Sequence, residues 1–223
     1  MRSTKSALVV GSLATHAVLV RHPTVRARFP LLAAAAATVG GPQIQNRGTL
    51  GGNIANASPA GDTFPPLLVY DASLRVVSTG GAREIPLAAV FAGPKRTTLT
   101  PGELIESIVL PFERKATREL FRKVGTRAAQ AISKTVVSGR LWLKRDGTVE
   151  ELRFALGSMA PTARRLPTVE AYVRGKRPTD AVIREACRHV ADDVAPIDDV
   201  RSTADYRLAV SRNLLASLLR SPS

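Results

Sequence analysis

Residues Gln43 to Asp62, QIQNRGTLGGNIANASPAGD, constrain this chain more than any other stretch. They combine Gly, Asn, Ser, Thr and Pro with hardly any periodic apolar pattern. The run is too long for an ordinary turn, and long loops of this kind are disproportionately functional. Within it, Gly48-Thr49-Leu50-Gly51-Gly52-Asn53 can curve without Cβ atoms in the way, so that bare backbone N–H groups can face an anion. Thr49 adds a hydroxyl and Asn53 an amide. The spacing is neither GxGxxG nor GxxxxGK[ST], so it licenses neither a Rossmann fold nor a P-loop. A bare GxxGG pattern is more often a tight turn packed on the preceding helix, and from these residues alone that reading has the advantage.

Charge gives the segment its setting. Residues 1–61 contain six basic residues and no acidic one, so Asp62, at the far end of the loop, is the first carboxylate of the chain. Residues 112–148 carry ten basic against three acidic residues, and the 223-residue chain has a net charge of +14. Such a surplus suits an anionic ligand, an acidic partner or nucleic acid, and residues 112–148 are the plausible docking surface. Aromatic residues are only 4%, which argues against a base-stacking surface. One cysteine, Cys187, and three scattered histidines exclude an intrachain disulfide, a zinc finger or a cluster held by this chain alone, and point to a cytoplasmic protein. No run of eighteen apolar residues is present, so no membrane span is expected. Arg2 and Lys5 ahead of Ala7–Val20 imitate a secretory leader, but Gly11, Ser12, Thr15 and His16 break the run.

Periodicity predicts a strand at Ala7–Gly11, a helix capped by Thr15, and a helix over Pro23–Val39 interrupted near Pro30. Gly40-Gly41-Pro42 ends it. Leu67–Tyr70 opens another apolar run, and strands follow at Leu74–Ser78 and Leu104–Leu110. FERKATREL, Phe112 to Leu120, is a charged connector and the candidate domain boundary. Strands are then expected at 120–124, 135–143 and 151–156, with a turn at Asp146-Gly147, and helices over 179–194 and 203–219. The fold class is α+β in two parts.

The complete segment, followed by Leu67-Leu68-Val69-Tyr70-Asp71-Ala72, resembles the FAD-binding medium subunit of the molybdenum hydroxylases, the xanthine dehydrogenase and carbon monoxide dehydrogenase type. The resemblance extends through Lys123-Val124-Gly125-Thr126-Arg127, Gln130–Lys134, Leu156–Thr162, Asp205-Tyr206-Arg207 and Arg212–Leu215, and so covers essentially the whole chain. It implies the second subdomain of a vanillyl-alcohol-oxidase-type (PCMH-type) FAD-binding domain over residues 1–113 and a CO dehydrogenase flavoprotein-like C-terminal α+β domain over 117–221. Thr49, Leu50, Gly51, Gly52 and Asn53 would then be a pyrophosphate-binding element of FAD. Asn56 and Asp62 would face the ribityl or flavin region, and Val39 and Gln43 would border the isoalloxazine. Lys134 would contact flavin or serve in a structural ion pair; Tyr206 and Arg212 would be core and surface residues of the last helix.

The function implied is electron transfer. FAD on this chain would collect electrons from an iron–sulfur subunit, fed by a molybdopterin-binding large subunit, and deliver them to NAD, oxygen or a quinone. Molybdopterin and [2Fe-2S] clusters would sit on those partners, no metal would bind here, and no side chain would be catalytic. Family members carry an earlier subdomain with an AGGTD-type loop that this sequence lacks. The expectation is therefore a truncated form that binds FAD weakly, exposes apolar surface around Ala7–Leu13, and binds FAD stoichiometrically only when extended upstream. The alternatives are a cofactor-free structural remnant and, with less in its favour, a basic nucleic-acid-binding module.

Overall fold

A computed structural model describes residues 1–220. The first half runs β1 (Arg2–Ser3), β2 (Ala7–Gly11), α1 (His16–Arg21), α2 (Pro23–Arg28), α3 (Pro30–Ala36), α4 (Pro42–Arg47), α5 (Leu50–Ala55), α6 (Phe64–Val69), β3 (Ser73–Ser78), β4 (Gly81–Pro86), β5 (Phe91–Gly93), β6 (Arg96–Thr97) and β7 (Leu104–Pro111). The second runs β8 (Arg118–Val124), β9 (Thr135–Leu143), β10 (Val149–Gly157), β11 (Arg164–Arg165), α7 (Pro167–Val173), α8 (Asp180–Arg188), α9 (Val190–Asp193) and α10 (Ala204–Arg220).

Each half is an antiparallel sheet covered by helices. The strand orders are β1-β2-β7-β3-β4 and β11-β10-β9-β8. The alternating apolar residues of β2 and β3 (Leu8, Val10, Leu74, Val76) bury against Leu19, Val25, Leu32, Leu50, Ile54 and Leu67 of the helices. The second core joins Val137, Leu141, Leu152 and Phe154 to Ile183, Ala186, Leu215 and Leu218. Gly139 sits at that contact, where a Cβ would lie 2.4 Å from Leu218 Cδ2, so α10 can settle directly on β9.

The strands at Ala7–Gly11 and Thr135–Leu143, the Thr15 cap and the interruption at Pro30 stand where periodicity put them. Three expectations need correction. Gln43–Asp62 is not one long loop: Pro42 at N1 starts α4, and the Thr49 hydroxyl accepts from Gly52 N and caps α5. The helix expected over 179–194 breaks after Arg188, and in α9 the Asp193 carboxylate accepts from Thr168 N and Thr168 Oγ1, capping the start of α7. Exposure of Ala7–Leu13 holds only at its end: Ala7, Leu8 and Val10 are buried, whereas Leu13 is 80% exposed.

The two halves meet along a seam of arginines. Arg140, 3% exposed, binds Glu113 (2.5 Å) and Glu119 (3.0 Å), and its guanidinium lies 4.6 Å from the ring centres of both Tyr70 and Trp142. Arg153 binds Asp71, Glu113 and Glu151, and Arg165 binds Asp71 and Glu170. Arg140 and Arg153 both donate to Val69 O at the last turn of α6, where the helix dipole is negative.

Candidate functional site

The glycine pair of the 48–53 element divides its work. Leu50 N donates to Ala14 O and Gly51 N to Ser12 O, both at 2.9 Å, which docks the start of α5 on the β2–α1 turn. A Cβ on Gly51 would lie 2.5 Å from Ser12 Cβ and 2.8 Å from Ser12 O, so only glycine permits that approach. Gly52 N is taken by Thr49 Oγ1 and Asn53 N by Thr49 O. The expected convergence of bare N–H groups on an anion is therefore corrected: those of residues 50–53 are already bonded inside the chain. What the element offers outward is the exposed backbone of Gly52, the Thr49 hydroxyl proton and the Asn53 amide N–H groups. Asn53 is held in place because its Oδ1 accepts from Thr63 Oγ1 at 2.6 Å.

Of the expected site residues, Asp62 alone lines a groove of about 490 Å³, together with Gly40, Gly41, Lys95, Lys123 and Ile132 among others. Its centre is an ion pair that crosses the seam. Lys123 Nζ, from β8, donates to Asp62 Oδ2 at 2.7 Å and to Thr38 O at 2.8 Å. Both side chains are nearly enclosed, at 11% and 10% exposure. Asp62 Oδ1 is buried and makes no hydrogen bond of good geometry, although the Ser133 hydroxyl lies close enough to hold the carboxyl down. Burial pushes the Asp62 carboxyl up, and the bonded Lys123 ammonium opposes that rise. At the rim, Lys95 Nζ donates to Asn56 Oδ1 at 2.9 Å, which aims Asn56.

The other expected residues fall at different depths. Leu50 and Gly51 are buried and face the core, so their part in any site is to fix α5. Val39 and Gln43 flank the Gly40–Gly41 turn that lines the groove. Lys134 places its ammonium 4.9 Å from the centre of the Tyr206 ring, a cation–π contact in place of the ion pair considered for it. Tyr206 is accordingly 44% exposed, and the core residue of that motif is Arg207, which bonds Lys134 O, Ser158 O and Asp199. Lys123 and Lys95 were missed as site residues. Lys123 stood within a recognised motif, but no spacing rule links residue 123 to residue 62.

The raised Asp62 carboxyl has a testable sign. A carboxyl whose folded pKa exceeds its unfolded one costs stability once ionised, and that cost appears as pH rises from the ordinary value of 3.8 to the raised one. Asp62→Asn, compared with wild type by urea midpoints across this range, is expected to gain relative stability with rising pH and then level off. A gain that runs the other way would show that the Lys123 pair outweighs burial.

Comparison with known proteins follows from this geometry. Residues 1–113 match the FAD binding domain in molybdopterin dehydrogenase, and residues 120–221 match the CO dehydrogenase flavoprotein C-terminal domain. The carbon monoxide dehydrogenase medium chain of Hydrogenophaga pseudoflava is 30% identical over 98% of this chain and 76% of its own length. The xanthine dehydrogenase FAD-binding subunit of Escherichia coli O157:H7 is 30% identical over 95% and 73%. A solved structure of carbon monoxide dehydrogenase from Hydrogenophaga pseudoflava, lacking the Mo-pyranopterin moiety of its molybdenum cofactor, superposes with a TM-score of 0.91 at 31% identity, covering 98% of this chain and 75% of that one. Quinoline 2-oxidoreductase from Pseudomonas putida 86, at 22% identity and a TM-score of 0.88, shares the fold. The chain belongs to the family of FAD-binding medium subunits of molybdenum hydroxylases.

Proposed function

We propose that the groove between the two halves receives the flavin end of FAD, with Thr49, Gly52 and Asn53 on the diphosphate side and Asn56 and Asp62 toward the ribityl and ring. Bound there, FAD supplies a carrier that exchanges electrons singly or in pairs. The observation that carries this reading is the nearly enclosed Asp62–Lys123 ion pair in the wall of an open groove between the halves. A carboxylate held there can accept from a ribityl hydroxyl or a flavin N–H. The residues present suit such a ligand. Lys123 holds the carboxylate in place, Lys95 orients Asn56, and Gly52 leaves the surface bare where a side chain would stand.

Val39 and Gln43 border the ring through the Gly40–Gly41 turn, and Lys134, held at Tyr206, would reach it only by leaving that stack. The chain is divided into functional units at 1–113 and 117–221, Ser221 lying outside the described residues. Electrons come from an iron–sulfur subunit beside a molybdopterin-binding large subunit and go on to NAD, oxygen or a quinone, in the cytoplasm. The relatives' names as medium chains support this division of labour. An adjoining cleft of about 650 Å³, which shares Ser58, Ala60 and Arg201 with the groove, gives an acceptor room to approach.

Titration of the full chain with FAD, followed by flavin fluorescence, tests the site. Removing a hydrogen bond to a charged group costs about 1.5–3 kcal/mol, so Asp62→Ala is expected to weaken binding by roughly tenfold or more. Affinity unchanged by Asp62→Ala would move the flavin elsewhere. Failure of the wild-type chain to bind FAD at all would favour the cofactor-free remnant.

A further inference from the structure

The positive charge that the sequence places at 112–148 is partly engaged within the chain, while Lys115, Arg122, Lys144 and Arg145 stay exposed without a carboxylate partner among the described residues. Arg114 pairs with Glu150, Lys123 with Asp62, and Arg140 with Glu113 and Glu119. Arg118 donates to Leu218 O and Leu219 O at the C-terminal end of α10, and Arg127 to Ala129 O and Gln130 O.

A different concavity keeps its charge available. Helices α8 and α10 pack side by side, with Cys187 Sγ bonded to Arg212 O at one end and Arg220 paired with Asp180 at the other. Between them runs an open groove of about 390 Å³. Its floor is Ile183, Cys187 and Ala216, and its rims are Arg184 and Arg188 on one side and Arg212 and Arg220 on the other. Arg184 has no carboxylate partner among the described residues, and Arg212 uses only Nε, toward Cys187 O at 3.0 Å. The two carboxylates present, Glu185 and Asp180, bind Arg188 and Arg220 in solvent-exposed pairs. Exposed pairs of this kind are worth little and exchange readily for an incoming carboxylate.

We propose that this groove docks an acidic, carboxylate-bearing segment of a partner polypeptide. Arg184 and Arg188 line the groove from α8 and Arg212 and Arg220 from α10, and arginine forks match carboxylates in paired hydrogen bonds. The shallow, open shape suits an extended peptide better than an enclosed small anion. The small floor residues let a peptide backbone lie close, with apolar contact beneath and charge on both flanks. The groove is lined by none of the residues assigned to the flavin, so this inference goes beyond the flavin reading and stands or falls without it.

Cys187, the single cysteine of the chain, makes the groove observable. Burial raises its thiol pKa, so it reacts slowly with iodoacetamide, and a ligand lying on the floor would slow it further. The test uses the full chain with a fluorescein-labelled octaglutamate peptide at low ionic strength, followed by anisotropy and by alkylation of Cys187. The expected result is binding that slows alkylation at least fivefold and that weakens at least tenfold in Arg184→Glu, whose side chain has no structural partner. Arg212→Glu is expected to behave alike, and the control Arg145→Glu, within 112–148, is expected to change affinity less than twofold. Equal weakening by the control, unchanged affinity in both groove variants, or unprotected Cys187 would each overturn the proposal. Displacement of the peptide by millimolar inorganic phosphate at constant ionic strength would make this a small-anion site and overturn it too.

Discussion

Replacing Arg140 by alanine is expected to destabilise the chain by about 3 kcal/mol, because it empties a buried site and takes a counter-charge from two half-buried carboxylates. Arg140 is 3% exposed and serves Glu113, Glu119 and Val69 O at once, between the Tyr70 and Trp142 rings. Its loss leaves Glu119 without an ion-pair partner and the Tyr70 face without a cation, and it leaves Glu113 and Val69 O to Arg153 alone. Lysine is expected to recover only part of this, since an ammonium cannot stack flat between rings while forking to two acids. Chemical denaturation gives the magnitude. A fall below about 1 kcal/mol for Arg140→Ala would show that Arg153 alone holds the seam. Protease cutting within 112–117, the connector, should accelerate in the same variant.

The second large effect is at Gly51. A valine there drives its side chain into Ser12, whose backbone oxygen would already stand 2.8 Å from a Cβ. Relief requires α5 to lift from the β2–α1 turn, breaking the bonds from Leu50 N to Ala14 O and from Gly51 N to Ser12 O. Overpacking of this kind costs about 1–3 kcal/mol before the lost hydrogen bonds are added. Gly51→Val is therefore expected to lower the urea midpoint strongly and abolish flavin binding with it. Gly52→Ala behaves differently. Its Cβ would press only on Thr49 Oγ1, at 2.9 Å, and alanine gains helix propensity that offsets the strained cap to within about 1 kcal/mol. Its expected signature is near-normal stability with weakened FAD affinity. If Gly51→Val folds normally, or Gly52→Ala collapses, the assignment of one glycine to packing and the other to ligand is reversed.

That difference marks how far the sequence could be read. TLGGN identified the element, but residue types do not tell which N–H groups the fold consumes; the acceptors, Ser12 O and Ala14 O, belong to a turn nearly forty positions earlier. Strands such as Thr135–Leu143 were legible because β-branched and aromatic residues, Val136, Val137 and Trp142 among them, favour a pleated strand. The short helices α4 and α5 were not, since Gly and Asn mask helical periodicity and the tertiary contacts of Leu50 and Ile54 decide the matter. Asp62 was found from its position as the first acid. Its partner Lys123, lying sixty-one residues away, follows only from the docking of β8 beside α3.

Helix α6 has a carboxylate of the groove just before its first turn and a carbonyl gripped by the arginine seam at its last. One end of a six-residue helix thus reports to the ligand and the other to the joint between the halves. Recombination between members of this family must respect that linkage. A chimera joined at the connector inherits Asp62, Val69 and Asp71 from one parent and Lys123, Arg140 and Arg153 from the other. It works only where both parents kept the same pairing, so the two halves are heritable as a unit although each has a core of its own.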